Sequence, residues 1–264
     1  MSQPSGNDAP RPRIIPVLLL RGGGLCKSRG FGHERYIGDP LNTARIFNEK
    51  EADELIFLDI DATIKQRHPD LGRLRDIASE CFMPVCYGGG ITSIGQIEAI
   101  LRLGIEKVCL GASALLDPAL VREAARAFGS QSIVVCLDVR RSWWRGECIV
   151  VHRGARRVPG RLEDHLRRIE DLGAGEAIVQ SVDRDGSMSG YDLDLIRRAS
   201  SCVRLPLVAL GGAGRLDDLR EALAAGASAA AAGSLFVFHG PHHAVLISYP
   251  DPGQIAGLPQ MGRP

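Results

Sequence analysis

The feature that most constrains the fold is an internal repeat. Four short motifs recur in the same order about 120 residues further along the chain. The pairs are FLDID (57–61) with QSVDR (180–184), Gly88-Gly89-Gly90 with Gly211-Gly212-Ala213, Gly111-Ala112-Ser113 with Gly233-Ser234-Leu235, and Leu19 with Asp138. Motifs that keep both order and spacing predict two similar halves. In this repeat, Leu19 stands where the second half has an acid.

Apolar runs alternate with amphipathic helical patterns along most of the 264 residues. Strands are predicted at 14–20, 54–60, 83–87, 107–110, 132–139, 176–182, 205–210 and 228–232. Helices are predicted at 40–51, 71–81, 93–103, 118–128, 162–172, 193–199 and 216–225. This alternation predicts an α/β fold, a single (β/α)8 TIM barrel made of two similar half-barrels.

The expected boundaries are a disordered lead-in at 1–12, the barrel at 13–240 and a partly mobile C-terminal segment at 241–264. Residues 21–38 form a long Gly-rich loop, which predicts either a lid or disorder. Residues 141–160, which include Trp143 and Trp144, predict a small hairpin inserted after the fifth strand. The motif AVLISYP predicts an edge strand or a docking segment, and the last dozen residues are expected to be mobile.

Composition narrows the classes of function. The formal net charge is +1, so a broad nucleic-acid or membrane-binding surface is not expected. No apolar run reaches the length of a membrane span, and the N-terminus does not resemble a signal peptide. The seven cysteines are odd in number and lack metal-binding spacing, which predicts reduced thiols in a cytoplasmic protein. We expect no metal site and no cofactor.

Small residues cluster where the predicted strands end, which is the face that carries active sites in such barrels. Their backbone N–H groups can hold phosphate or another anion at two opposite sides of the mouth. The alternative is that the glycines only form tight turns. The candidate phosphate-binding residues are Gly89, Gly90, Gly111, Ser113, Gly186, Gly211, Gly212, Gly233 and Ser234.

Acidic residues end several of the same strands. Asp138 and Asp185 are the acids best placed for proton transfer, although each could instead cap a helix or pair with an arginine. Asp59 and Asp183 could equally hold loop amides. At the opposite face, charged residues stand at or just before four strand starts, where they could form a closed ion-pair ring; charge at that face normally serves stability. They are Arg13, Glu54, Lys107 and Glu176.

Several stretches resemble the cyclase subunit of imidazole glycerol phosphate synthase, the HisF family. They are ADELIFLDI, YGGGI, FGSQSIVV, LDVRR, LGAGE, SVDRDGSMSGYDL and GGAG. The resemblance implies a barrel that receives ammonia from a partner glutaminase and uses it on a two-phosphate substrate. It also implies that the four lower charges gate ammonia entry, that Asp138 is a catalytic acid, and that Asp185-Gly186 and Lys27 belong to the active site.

The departures from that pattern are specific. The family's other catalytic acid, expected at the end of the first strand, is Leu19 here. Leu210 stands where the family has Ser, Gly111-Ala112 where it has Asn-Thr, and IDAT where it has ITAS. Loss of a proton-transfer group costs about 10²–10⁴-fold in rate, so efficient cyclisation is not expected.

With these departures, the chain resembles a branch of the family associated with sugar amidation in surface-polysaccharide biosynthesis. That resemblance implies a glutaminase partner, a sugar amidotransferase as a further partner, and a phosphorylated or nucleotide-sugar ligand. Two alternatives stay open: a genuine cyclase of histidine biosynthesis, and a non-enzymatic scaffold that activates its glutaminase. A sugar-isomerising relative is a weaker option, because it would not need the lower ring.

Overall fold

A computed structural model describes residues 11–142 and 146–258. Trp143 and Trp144, which belong to the hairpin predicted at 141–160, lie outside the described residues. Within these ranges the strands are β1 (Arg13–Arg21), β2 (Gly24–Arg29), β3 (Gly32–Gly38), β4 (Leu55–Asp59), β5 (Val85–Gly88), β6 (Lys107–Leu110), β7 (Ile133–Ser142), β8 (Gly146–Val151), β9 (Arg156–Val158), β10 (Glu176–Ser181), β11 (Leu207–Leu210), β12 (Ala229–Ala232), β13 (Phe238–His239) and β14 (Ala244–Val245). The helices are α1 (Pro40–Glu49), α2 (Leu71–Glu80), α3 (Ile94–Leu101), α4 (Ala112–Leu116), α5 (Pro118–Phe128), α6 (Leu162–Asp171), α7 (Leu193–Cys202), α8 (Leu216–Ala224) and α9 (Pro252–Ala256).

Eight parallel strands close into the predicted barrel, in the order β1, β4, β5, β6, β7, β10, β11 and β12. Closure is complete because β12 pairs with β1, as Arg13 lies opposite Ala229 in the register. Side chains that alternate along these strands fill two separate volumes. One set packs outward against the helices, and the other fills the barrel interior. Strands buried on both faces are apolar along their whole length, which explains why the sequence pattern located them.

The helices begin at the same end of the barrel as the strands finish, which we call the upper face. The first turns of several helices are capped by side chains that satisfy otherwise unpaired N–H groups. Asp39 accepts hydrogen bonds from the amides of Leu41 and Asn42, and Ser93 forms a reciprocal capping box with Gln96. These caps fix the entry of each helix and therefore the strand-to-helix loops that line the upper face. None of the helices in the described ranges has the length and hydrophobicity of a membrane span.

Two antiparallel hairpins rise from the upper face. The long loop predicted at 21–38 is an ordered hairpin of β2 and β3, and β2 pairs back onto the end of β1. We call it the lid. Its turn places Phe31 and His33 at φ values of 67° and 44°. The hairpin predicted after the fifth strand is confirmed, because β7 runs beyond the barrel and pairs with β8, which pairs with β9.

The C-terminal segment differs from one prediction. After β12 the chain forms the short β13–β14 hairpin and then descends the outside of the barrel in extended form. The hydroxyl of Tyr249 donates to the Ile14 carbonyl at 2.9 Å, and Ile255 and Leu258 are buried in the outer core. The first part of the segment predicted to be mobile is therefore packed, because its apolar side chains cover the flank of the barrel.

Candidate functional site

Two adjoining cavities of unequal size lie in the barrel mouth at the upper face. The large cavity measures about 640 Å³ and lies over β4, β5, β6 and β7. The small cavity measures about 30 Å³ and lies over β11 and β12. Five side chains line both cavities and form the boundary between them: Leu19, Ser28, Leu58, Gln180 and Asp185.

The predicted upper-face residues are brought together around these cavities. Asp138, Gly89, Gly90, Gly111 and Ser113 line the large cavity. Lys27, Gly186, Gly211, Gly212, Gly233 and Ser234 line the small one, and Asp185 lines both. The internal repeat therefore corresponds to two opposite sides of one mouth.

Most of the paired glycines have a structural reason to be glycine. A Cβ on Gly89 would lie 2.5 Å from the Asp59 carbonyl oxygen, and one on Gly211 would lie 2.6 Å from that of Ser181. Both residues also have positive φ, at 124° and 97°. Gly233 differs, because a Cβ there would collide with the ammonium of Lys27. Tight backbone packing thus explains Gly89 and Gly211, whereas Gly233 makes room for a charged side chain.

Asp138 lies on β7 between the buried residues Leu137 and Val139, and it lines the large cavity. Burial raises the pKa of its carboxyl to about 7, with the Asp185 charge adding to the rise and a hydrogen bond from Cys136 opposing it. The thiol of Cys136 donates to the Asp138 carboxylate at 3.5 Å. A carboxyl with this pKa exchanges a proton near neutral pH, which suits an acid–base role.

Lys27 projects from the lid into the barrel mouth and is only 5% exposed. Its ammonium donates a hydrogen bond to the Val17 carbonyl. Burial lowers its pKa to about 8, and the charges of Asp185 and Cys26 oppose that change. Lys27 therefore remains charged at neutral pH and supplies a buried cation on the side of the small cavity.

Asp185 holds the lid. Its carboxylate accepts a hydrogen bond from the Ser28 hydroxyl at 3.0 Å, and its carbonyl accepts one from the Gly30 amide at 3.0 Å. Burial raises the pKa of Asp185, with the Ser28 hydrogen bond and the Lys27 charge acting against it. From the other hairpin, Arg153 donates to the Phe31 carbonyl at 2.7 Å. The lid is thus attached on both sides of the mouth.

The remaining acids hold loops. Asp59 accepts hydrogen bonds from the amides of Asp61 and Ala62, at 3.1 and 3.0 Å. Asp183 accepts one from the Arg141 amide at 2.6 Å, which ties the extended end of β7 to β10. In this structure the two acids have the loop-holding role that the sequence left open.

The lower face carries a closed ring of charge, as the sequence suggested. Lys107 donates to Glu54 at 2.9 Å and to Glu176 at 3.2 Å. Arg13 donates to both carboxylates from the other side. Burial acts to lower the Arg13 pKa, but the two carboxylates outweigh it and raise that pKa above its ordinary value. The four side chains alternate in sign and close the bottom of the barrel.

The barrel interior between the ring and the mouth is apolar. Its members, apart from three cysteines, are aliphatic: Ile15, Val17, Ile56, Val134, Ile178, Val208, Leu210, Ala229 and Ala231. The cysteines are Cys86, Cys109 and Cys136, and all three are buried. All seven cysteines of the chain are free thiols.

Sequence reasoning missed two contributors to the mouth. Gln180 is 8% exposed and lies beside Asp138 in the register of β10 and β7. The available signal was a polar side chain that directly follows the apolar run 177–179. Thr63 accepts a hydrogen bond from the Gly90 amide at 3.3 Å, so this predicted phosphate donor already has a partner. Nothing in the local sequence indicated that contact, because it joins two different loops.

Comparisons with known proteins agree with this architecture. A family model described as histidine biosynthesis protein matches residues 13–242. A Leptospira borgpetersenii protein provisionally named imidazole glycerol phosphate synthase subunit HisF is 47% identical over 243 residues, which cover 91% of this chain and 96% of that protein. A Pseudomonas aeruginosa protein provisionally named subunit hisF2 of the same synthase is 47% identical over 242 residues, with 91% and 96% coverage. The subunit HisF of Alkaliphilus metalliredigens is 41% identical over 230 residues, with 86% and 90% coverage.

Proposed function

This chain belongs to the histidine biosynthesis protein family, and on that premise we propose that it is the ammonia-using subunit of a two-component glutamine amidotransferase. In this proposal a glutaminase docks at the lower face and releases ammonia at the ring of Arg13, Glu54, Lys107 and Glu176. Ammonia then crosses the barrel interior and reacts beside Asp138. The observation that carries the proposal is one barrel that joins a closed charged ring to an acid lining a cavity at the opposite end.

The composition of the interior supports transfer of neutral ammonia. Burying an unpaired charge costs far more than burying a small neutral polar molecule, so an aliphatic interior favours ammonia over ammonium. Val134 lies opposite Glu176 at the lower end of β7, and Asp138 follows four residues later. At about 3.3 Å per residue the path is roughly 13 Å long.

Asp138 is the group suited to proton transfer at the upper end. A carboxyl with a pKa of about 7 is present in both protonation states under physiological conditions. It can therefore accept a proton as ammonia adds to an acceptor and return a proton to a leaving group. Gln180 lies beside it and offers an amide that can donate to or accept from the same acceptor.

The names of the relatives support one acceptor. Proteins 40–47% identical to this chain are named as subunits of imidazole glycerol phosphate synthase. The first candidate reaction is therefore cyclisation of the two-phosphate histidine-pathway intermediate with ammonia. Under this reading, Asp138 works without a second carboxyl at position 19.

Leu19 supports a second acceptor. It pairs with Leu58 in the register of β1 and β4 and lies on the boundary between the two cavities. A hydrophobic side chain at this point cannot transfer a proton. The second candidate is therefore amidation of a different molecule, such as a sugar, by ammonia that leaves the mouth of this barrel. A sugar amidotransferase would then be a further partner.

The test is reconstitution with the glutaminase subunit of an imidazole glycerol phosphate synthase. We expect the two chains to copurify, and nitrogen from amide-labelled glutamine to reach the product despite excess unlabelled ammonium. As a matched comparison, Glu176→Gln opens the ring and should allow the unlabelled ammonium to dilute the label. Cyclisation at a rate close to that of a HisF subunit assigns the first acceptor, and labelled sugar without cyclisation assigns the second. Failure to associate, together with no reaction from ammonium salts, contradicts the proposal.

A further inference from the structure

The two halves of the barrel differ at two inward positions of corresponding strands, and the acid is only one of them. On β7, Cys136 belongs to the apolar interior and Asp138, two residues further up, lines the large cavity. At the repeat spacing that relates Leu19 to Asp138, the counterpart of Cys136 in the first half is Val17. The second half therefore has a thiol and a carboxyl where the first half has two aliphatic side chains.

The thiol and the carboxyl are in direct contact. Residues two apart on a strand face the same side, so Cys136 lies directly below Asp138 along β7. The Cys136 Sγ donates a hydrogen bond to Asp138 Oδ1 at 3.5 Å. Within residues 11–142 and 146–258, no other group donates a hydrogen bond to this carboxylate. The thiol is thus the donor that holds one of its two oxygens.

Cys136 keeps its proton at neutral pH and can therefore act as that donor. Its side chain is buried. The neighbouring Cys109 acts to lower the pKa of the Cys136 thiol, but burial and the Asp138 charge outweigh it and raise this pKa above its ordinary value. A thiol that stays protonated can donate to Asp138 without competing with it as a base.

The hydrogen bond favours the ionised form of Asp138. Burial raises the pKa of Asp138 to about 7, and the Cys136 hydrogen bond is the first effect that opposes this rise. Arg140 donates to the Gly154 carbonyl at 3.3 Å, and Asp185 accepts from Ser28, so both are engaged away from the carboxylate. The charged or titratable groups around Asp138 are Cys136 and Arg140 on its own strand, Cys109 on β6, Asp185 after β10, His152 and Arg153 after β8, and Lys27 across the mouth.

We propose that Cys136 is a positioning residue for Asp138: its thiol holds one carboxylate oxygen, leaves the other for the acceptor, and keeps the acid available as a base at neutral pH. The reacting proton moves between the acceptor and Asp138, while Cys136 retains its own. The inference rests on the proposed function, because it assigns a supporting group to the proton-transfer acid of that reaction.

The first test needs neither acceptor nor ammonia. NMR of the full chain, isotopically labelled at the carboxyl carbon of aspartate, follows the titration of Asp138, whose signal is identified by its loss in Asp138→Asn. Cys136→Val introduces the residue of the first half, which has similar volume and no donor. It should raise the pKa of Asp138 by at least about half a pH unit, because a hydrogen bond to the ionised form is lost. Cys136→Ser keeps a donor and should titrate at or below the parent value.

A second thiol provides the matched control. Cys86 lies in the same apolar interior, is fully buried and does not line either cavity. Cys86→Val should therefore leave the titration of Asp138 unchanged. The proposal is overturned if Cys136→Val and Cys136→Ser titrate alike, or if Cys86→Val raises the pKa of Asp138 as much as Cys136→Val does.

The pH profile of turnover separates this role from a structural one. In the reconstituted reaction, supplied with a fixed concentration of free ammonia, the acid limb of Cys136→Val should move with the Asp138 titration. Turnover should fall about twofold at a pH of about 7 and recover above a pH of about 8.5, since ionised Asp138 is the reacting base. Cys136→Ser should restore the parent profile. A loss by the same factor at every pH would show that Cys136 serves packing alone.

The two proposals can fail separately. If the parent transfers no ammonia while the Asp138 titrations shift as expected, only the proposed function is lost. If ammonia transfer succeeds while Cys136→Val changes neither the titration nor the acid limb, only this inference is lost.

Discussion

Both ends of the barrel contain acidic and basic side chains. These side chains form ion pairs at the lower end, whereas Asp138 and Lys27 stand apart at the upper end. At the lower end, each carboxylate of the ring meets both cations, so Glu54 remains well paired while only 2% exposed. At the upper end, Lys27 is 5% exposed and Asp138 is partly buried, they project from opposite sides of the mouth, and desolvation shifts the pKa of each toward neutrality. Pairing offsets the cost of desolvation at the bottom, whereas at the top desolvation is the largest cause of the two pKa shifts.

The largest expected effect is at the upper end. Asp138→Asn keeps the shape of the side chain and removes its proton-transfer capacity, so ammonia-dependent turnover should fall by about 10²–10⁴-fold. The free energy of unfolding should not fall at a pH of about 8, because a buried charge is removed. Turnover with ammonium salts and urea denaturation measure the two quantities. Asp164→Asn, on an exposed helical position, is the control. Unchanged turnover in Asp138→Asn would favour a scaffold that only activates its glutaminase.

At the lower end, we expect a substitution to reduce the free energy of unfolding. Glu54→Gln leaves Arg13 and Lys107 without one of their two carboxylates, and removing one partner of a buried ion pair costs about 3–5 kcal/mol. Urea denaturation should detect this loss of unfolding free energy. Glu98→Gln removes a carboxylate that is 46% exposed and should change the same quantity by less than about 1 kcal/mol. Equal effects in the two variants would show that the ring is energetically an ordinary surface network.

The pH dependence of the unfolding free energy tests the pKa shifts of Asp138 and Lys27 at the upper end. The Asp138 pKa rises from 3.8 to about 7 on folding, so between those values the unfolded state has lost a proton that the folded state keeps. Its contribution to stability therefore falls with rising pH across that window, by at most about 1.4 kcal/mol per pH unit. The Lys27 pKa falls from 10.5 to about 8, so its contribution rises with pH across that second window.

The two upper groups together predict a minimum in their contribution to stability between about pH 7 and 8. Denaturation of the parent and of each variant across this range isolates the two limbs. In Asp138→Asn the unfolding free energy should vary less with pH on the acid side of the minimum. In Lys27→Met it should vary less on the alkaline side. If neither variant changes the shape of the curve, these groups have ordinary pKa values in the folded protein.

The smallest expected effect comes from restoring the missing acid. Leu19→Asp gives the first half of the mouth the carboxyl that the repeat and the family resemblance lead one to expect. Because a proton-transfer group contributes about 10²–10⁴-fold, even partial recovery should raise cyclisation of the two-phosphate intermediate at least tenfold. Leu19→Asn controls for polarity without proton transfer. No gain with Asp would indicate that the altered cavities, and not only the acid, exclude that substrate.

Regular elements were largely predictable and irregular ones were not. The eight barrel strands were located within about three residues because burial on both faces makes them largely apolar. The lid was not predicted as a hairpin, since its turn depends on left-handed conformations at Phe31 and His33 and on attachment to Asp185. Helix α4 was missed because five residues carry too little periodicity to be detected.

The sequence by itself determined the barrel, its two similar halves, the four charges at strand starts and the leucine in place of an acid. These follow from local periodicity and from the fixed position of strand ends in such a barrel. Only the tertiary structure decided that Lys27 lies against Gly233, that Thr63 engages Gly90, and that the two cavities differ about twentyfold in volume. The reason is that desolvation, cavity volume and hydrogen-bond competition depend on which loops meet, and residues distant along the chain set them together.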